Sequence, residues 1–233
     1  MPGTIDQGPK IKVQRPKCTG VAAIILAAGR SQRMGAFKPL LPFGPRTVVE
    51  ACIENLSYGG AEVVVVVIGQ DARAAALRTR IEKAGVIIAI NPDPASEMSA
   101  SIAAGVNALP DSAKAVLINP VDHAAVPDDV VVTLIDEWTK GARLIKPTWN
   151  ERGGHPVLVD LAFRGELLNL DPKHGLKGLF DVHLDQVRRV AVNSKYIARD
   201  MDTWDDYSAL HTELFGVPPP ESAAQERVGK QRE

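Results

Sequence analysis

Residues 61–68 read AEVVVVVI, five consecutive valines closed by an isoleucine. β-Branched side chains are stiff at χ1, disfavour helix and pack well on a pleated surface. A run with no polar alternation has no face to give to water. It suits a strand covered on both sides, as in the middle of a parallel sheet. A similar run, VAAIILAA at 21–28, precedes it, and AVLI at 115–118 follows.

The segments between these runs carry helical spacing. Val49, Ile53 and Leu56 mark a helix over 47–58, and Leu77 and Ile81 share a face of 71–84. Ile102, Val106 and Leu109 form the stripe of 99–109; Val131, Leu134, Ile135 and Trp138 form that of 128–138. With a short strand at 86–90, the order is βαβαβαβα. It predicts an α/β, three-layer, Rossmann-like fold with a mostly parallel sheet and helices on both faces. The second half is less regular. Strands are expected at 143–146, 156–159 and 187–192, and helices at 162–170, 175–184 and 203–214, the last with Thr203 as N-cap. This half should add strands to the sheet and build a lid or acceptor-side wall. A basic leader at 1–20 and a tail at 217–233 are expected to be unstructured, leaving one domain over 21–216.

The formal net charge of −1 over 233 residues gives no global basic field for nucleic acid. Cys18 and Cys52 make neither a disulfide framework nor a metal spacing. The apolar runs are too short to span a bilayer, and no apolar stretch backs the basic N-terminus as a signal peptide would require. The expected location is the cytoplasm.

In open α/β sheets ligands bind outside the carboxyl ends of the strands. The segments 27–38, 69–71, 91–101 and 119–123 should therefore converge. The first lies within IILAAGRSQRMGAFKPLLPFG at 24–44. Gly29 and Gly35 are too far apart, with no middle glycine, for a dinucleotide fingerprint, and no Gly-Lys-Ser/Thr ends a Walker loop. After Leu26, the small residues Ala27, Ala28 and Gly29 let a base or phosphate approach the backbone. Arg30, Arg33 and Lys38 supply cations for a triphosphate and a departing pyrophosphate.

Other residues read two ways. Asp122 stands after an apolar strand, where it suits Mg²⁺ as a hard oxygen ligand or serves as a turn aspartate. Asp202 is either a second carboxylate or an acidic residue of a capped helix start, with Asp200 as its competitor. Ser99 and Ser101 either meet an anion at a helix N-terminus or cap that helix. Gly69 either turns the chain beside a base or simply ends a strand. His155 precedes Pro156 and is expected to be extended.

The string LAAGRSQRMGAFKPLLPFG resembles the first loop of nucleotidyltransferases of the nucleotide-diphospho-sugar transferase fold. Within them it is similar to the MobA-like group, and in particular to the molybdenum-cofactor cytidylyltransferases. EMSASIAAG at 97–105, NPVDHAAVP at 119–127, RGGHPVLV at 152–159 and RDMDTWDDY at 199–207 extend the resemblance over nearly the whole chain. It implies Mg²⁺-dependent transfer of a nucleoside monophosphate from an NTP to a phosphorylated acceptor, with pyrophosphate leaving. CTP and molybdopterin are the implied substrates, and a molybdoenzyme or its chaperone the implied partner. Leu26, Ala27, Ala28, Gly29, Arg33, Lys38 and Gly69 would bind the nucleotide, with Arg33, Lys38 and Asp122 catalytic. Asp122 and Asp202 would hold the metal; Ser99, Ser101 and His155 would meet the acceptor. Ala28, where the guanylyl branch has glycine, narrows the space beside the base and favours a pyrimidine. His123-Ala124 departs from the family's usual step after the metal aspartate, so a sugar phosphate or another phosphorylated metabolite stays open as acceptor. A non-catalytic nucleotide-binding module is the alternative from another class.

Overall fold

The structure, a computed structural model, describes residues 20–223 apart from Arg30, Gln32 and 94–97. The expected leader, Arg30, Cys18 and most of the tail thus lie outside the described residues. Strand β1 (Val21–Leu26) is buried at every position. Two short strands, β2 (Pro42–Phe43) and β3 (Arg46–Thr47), pair as a hairpin ahead of helix α1 (Val48–Tyr58). The valine run is β4 (Val63–Ile68), followed by α2 (Ala72–Ile81), β5 (Ile87–Ile90), α3 (Met98–Asn107) and β6 (Ala115–Pro120). Then come α4 (Asp128–Thr139), β7 (Leu144–Trp149), β8 (Arg152–Gly153), β9 (Val157–Asp160), α5 (Arg164–Leu168) and α6 (Gly175–Val182). β10 (Val187–Ala191) and α7 (Trp204–Phe215) complete the chain.

The main sheet runs β10-β7-β9-β6-β1-β4-β5, with β8 off β7. β1 pairs in parallel with β4 and β6, β4 with β5, and β10 with β7. β9 is antiparallel to both β6 and β7. The sheet is therefore mostly parallel, as the alternation predicts. Successive strand side chains point to opposite faces, and β1 divides its residues between two cores. Ala23 and Ile25 pack under α1, α2, α4 and α7. Ala22, Ile24 and Leu26 pack under α3, α5 and α6. The result is three layers with the sheet in the middle.

Local signals explain the helix starts. Thr47 and Glu50 form a capping box for α1, Asp71 accepts from the Ala74 amide at the start of α2, and Thr203 with Asp206 boxes α7. Gly105 lets α3 lie close on β1, because a Cβ there would sit 2.7 Å from Cγ2 of Ile24. The expected tail needs a correction at its beginning. The chain is helical at 221–223, Ala223 is buried in the core, and the Val217 carbonyl lies 2.9 Å from Nδ1 of His211. Burial of Ala223 in the first core overrides the polar, proline-rich composition there. Among the described residues no helix is long and apolar enough to cross a membrane.

Candidate active site

The sheet order changes direction at β1, whose chain first moves to β4 and β5 and then returns to β6 on the other side. Such a switch point opens a crevice at the strand ends. Backbone bonds draw the loops together there. Ala27 donates to the Val67 carbonyl (2.9 Å), Asn91 to that of Ile68 (2.8 Å) and Val121 to that of Leu26 (3.2 Å). Between them lies a cleft of about 410 Å³. Its size falls in the range of small-ligand sites.

Leu26, Ala28, Gly29, Arg33, Lys38, Ser101, Asp122 and Asp202 all line the cleft. Ala27 instead turns into the core, and Gly69 lies behind the loop, near the Ala28 carbonyl. Gly29 differs from the packing glycines, since a Cβ on it would meet, among the described residues and beyond its chain neighbours, no atom within 4 Å. The fold leaves that space open.

Lys38 begins a short 3₁₀ turn and is 7% exposed. Its amide donates to Oγ of Ser31 (3.2 Å). Its Nζ lies 3.1 Å from Oδ2 of Asp122 and 3.4 Å from Oδ1 of Asp202. Arg33 reaches the other Asp202 oxygen at 2.8 Å. Two cations and two carboxylates from three distant segments thus meet at one point. Asp202 stands just before the boxed start of α7, whereas Asp200 is exposed and does not line the cleft.

Asp122 has its two oxygens in different situations. Oδ2 meets Lys38, while Oδ1 is buried without a hydrogen bond. The nearest imidazole, His123 Nε2, is 3.9 Å from Oδ1. The chain leading to Asp122 is held from behind. Asn119 donates to the Pro120 carbonyl (2.9 Å) and the Cys52 thiol to that of Val121 (3.5 Å). Burial pushes the Cys52 thiol up, so it stays protonated and donates.

His155 does not line the cleft. Its ring packs on that of His123 at 4.9 Å, and its amide donates to the Ile197 carbonyl (2.8 Å). Burial, with His123 alongside, lowers its pKa to about 4. Burial likewise lowers that of His123, against the opposing pull of Asp122. Both imidazoles are therefore neutral near pH 7. Ser99 is buried outside the lining, and the Ser101 hydroxyl accepts from Nδ2 of Asn91 (2.9 Å). Asn91, Asp93 and Met98 also line the cleft. Their segment was expected there from the strand-end rule, but no residue type singled them out. His123 entered the sequence reading only as a departure from a motif.

The comparisons identify the family. The family model of the MobA-like NTP transferase domain matches residues 23–189. A protein named nicotine blue oxidoreductase, from Paenarthrobacter nicotinovorans, is 31% identical over 152 residues, 62% of this chain and 72% of that one. The structure of Rv0371c from Mycobacterium tuberculosis H37Rv superposes with a TM-score of 0.74 at 26% identity, over 82% of this chain and 97% of that one. A complex of Rv0371c with manganese gives a TM-score of 0.67 at 25% identity, over 82% and 96%. A cytidylyltransferase from Leptospira borgpetersenii shares the fold, with a TM-score of 0.66 at 16% identity over 84% and 87%. The chain belongs to the MobA-like NTP transferase domain family and is a nucleotidyltransferase.

Proposed function

We propose that the protein transfers a nucleoside monophosphate from an NTP, CTP by preference, to a phosphorylated acceptor, with molybdopterin the first to test. One observation carries the reading: Lys38 lies in the cleft between Asp122 and Asp202, with Arg33 closing on Asp202. Removing a leaving pyrophosphate needs positive charge placed beforehand rather than a covalent nucleophile. An anionic acceptor phosphate attacks the α-phosphorus in line, so the bond to the β-phosphate oxygen breaks as the new P–O bond forms. Lys38 and Arg33 turn from the carboxylates to the triphosphate. Gly29 and Ala28 leave room for the nucleotide against the backbone, and Ala28 favours a pyrimidine.

A divalent cation, Mg²⁺ in this reading, fits the donors present. Asp122 offers a buried oxygen with no hydrogen bond, and Asp202 converges on the same lysine. Among the described residues no third His, Cys, Asp or Glu joins them. That suits Mg²⁺, which usually takes one or two carboxylates and completes its shell with water and substrate phosphates. When bound, the ion would neutralise phosphate charge.

The test is pyrophosphate release with each NTP, Mg²⁺ and molybdopterin. Release with CTP above the other nucleotides is expected. CTP binding without release for any pair would overturn transfer to this acceptor. The relative named as an oxidoreductase supplies a second reading, redox chemistry on the same fold. The same mixtures decide it when a reduced nicotinamide and a quinonoid dye are added: protein-dependent oxidation of the first with reduction of the second, without pyrophosphate, would favour that reading.

A further inference from the structure

The sheet face that closes the second core continues past that core towards the strand ends. Ile118 pairs with Val157, Val159 with Leu144, and Leu144 with Val187. All pack on the α3, α5 and α6 side. Two residues further along β7 and β10, the same face carries Lys146 and Arg189, which are direct partners in the register. Like charges directly opposite each other in a sheet are destabilising. Yet neither makes a hydrogen bond or salt bridge among the described residues.

The backbone at Gly153 runs close against the Lys146 side chain. The Lys146 stem lies over Gly153, where a Cβ would clash with Cε and sit 3.0 Å from Nζ. At Gly154 a Cβ would overlap the Ile197 carbonyl. Two successive glycines thus let the strand pass between Lys146 and the 195–198 turn. On β6 the same face ends at Pro120, which lines the cleft. His155 stands between the lysine and Asp122, with its ring on His123.

We propose that Lys146 and Arg189 form an anion subsite that holds the remote acidic end, phosphate or carboxylate, of the acceptor. The juxtaposition of two cations without an acid, on the face that leads to the cleft, is what an oxyanion would repay. Arginine offers a planar fork and lysine a point charge, a set that suits phosphate or carboxylate. The assignment to the acceptor rests on the nucleotidyl-transfer reading; the binding of an anion does not.

Inorganic phosphate is the probe, titrated against chloride at matched ionic strength and followed by amide NMR shifts. Saturable shifts are expected at Gly153, Gly154 and 188–191 in the wild type and in Lys38→Ala, which weakens the nucleotide site. In Lys146→Met/Arg189→Met, which keeps apolar stems, those shifts should need at least tenfold more phosphate, or vanish. Shifts confined to the 29–38 segment would overturn the proposal. The double variant should also melt no lower than the wild type, because a repulsion has gone. A lower melting temperature would make the pair structural and overturn the proposal as well. Failure of pyrophosphate release with every NTP would sink the transferase reading while leaving the phosphate titration intact.

Discussion

Lys38 and Arg33 beside β1, and Lys146 and Arg189 at the other edge, are two pairs of cations held in different ways. The first pair is answered by Asp122 and Asp202 at 2.8–3.4 Å. The second has no acid within salt-bridge distance among the described residues. Near them stand two imidazoles, His123 buried and His155 half-buried, that desolvation keeps neutral near pH 7. A site that balances its own charge keeps its side chains in place before ligand arrives, but must break ion pairs to bind. The unbalanced pair, with Arg189 exposed and Lys146 half-buried, has no ion pair to break. In the proposed reading the donor side is thus preorganised, while the acceptor side is open to whichever anion fits.

The largest effect should come from breaking the balanced side. Removing one preorganised donor to developing charge costs roughly 10²–10³ in turnover. Lys38→Ala should lose about that much in pyrophosphate release, with circular dichroism unchanged. Asp122→Ala should fall as far, and Asp202→Ala well below Asp200→Ala. Equal losses at Asp200 and Asp202 would remove Asp202 from the site.

The glycines sharpen the same contrast. Gly154→Ala forces a Cβ into the Ile197 carbonyl, and overpacking of this kind costs about 1–3 kcal/mol. Urea denaturation should show that loss. Gly29→Ala meets no atom of the described residues beyond its chain neighbours within 4 Å, so stability should stay within about 0.5 kcal/mol. Its KM for the NTP should rise, because the methyl group occupies cleft space. A stable variant with an unchanged KM would mean that the nucleotide does not approach Gly29.

The two desolvated imidazoles predict a dependence on pH. His155 has a folded pKa of about 4 against 6.5 for the free side chain. Between these values the unfolded chain binds more protons, so stability rises with pH. It is fully present above about 6.5 and is lost as pH falls towards 4. From pH 7 to pH 5 the loss should be about 2 kcal/mol, with His123 adding in the same direction. The depressed carboxylates of Glu50 and Asp206 act only at lower pH. His155→Asn should flatten urea midpoints between pH 7 and pH 5, and an equally steep variant would place the dependence elsewhere.

The two sides were also unequally legible in the sequence. Strands buried on both faces are continuous apolar runs, so β1, β4 and β6 and their loops could be placed directly. The Lys38–Asp122–Asp202 meeting follows from strand-end logic once the resemblance supplies the aspartates. The acceptor side depends on pairings between strands that are not consecutive. β9 enters antiparallel between β6 and β7, and no local pattern announces it. The parallel pairing of β10 with β7 sets Lys146 against Arg189, and the His155 ring meets that of His123 across a long sequence separation. Ala223 is similar: a small residue in a polar tail shows no burial signal until the first core is there to cover it.

The smallest effect concerns how Asp202 is aimed. It precedes Thr203, whose hydroxyl accepts from the Asp206 amide at 3.2 Å while Oδ2 of Asp206 accepts from the Thr203 amide at 2.9 Å. Losing an N-cap hydroxyl costs about 1 kcal/mol. Thr203→Ala should therefore lower stability by that amount and fray the first turn of α7. Arg33 and Lys38 would lose part of their hold on Asp202, and the Mg²⁺ concentration needed for half-maximal turnover should rise more than KM for the NTP. If both constants stay fixed while stability drops, the cap supports only the helix. Asp202 would then be aimed by its two cations alone.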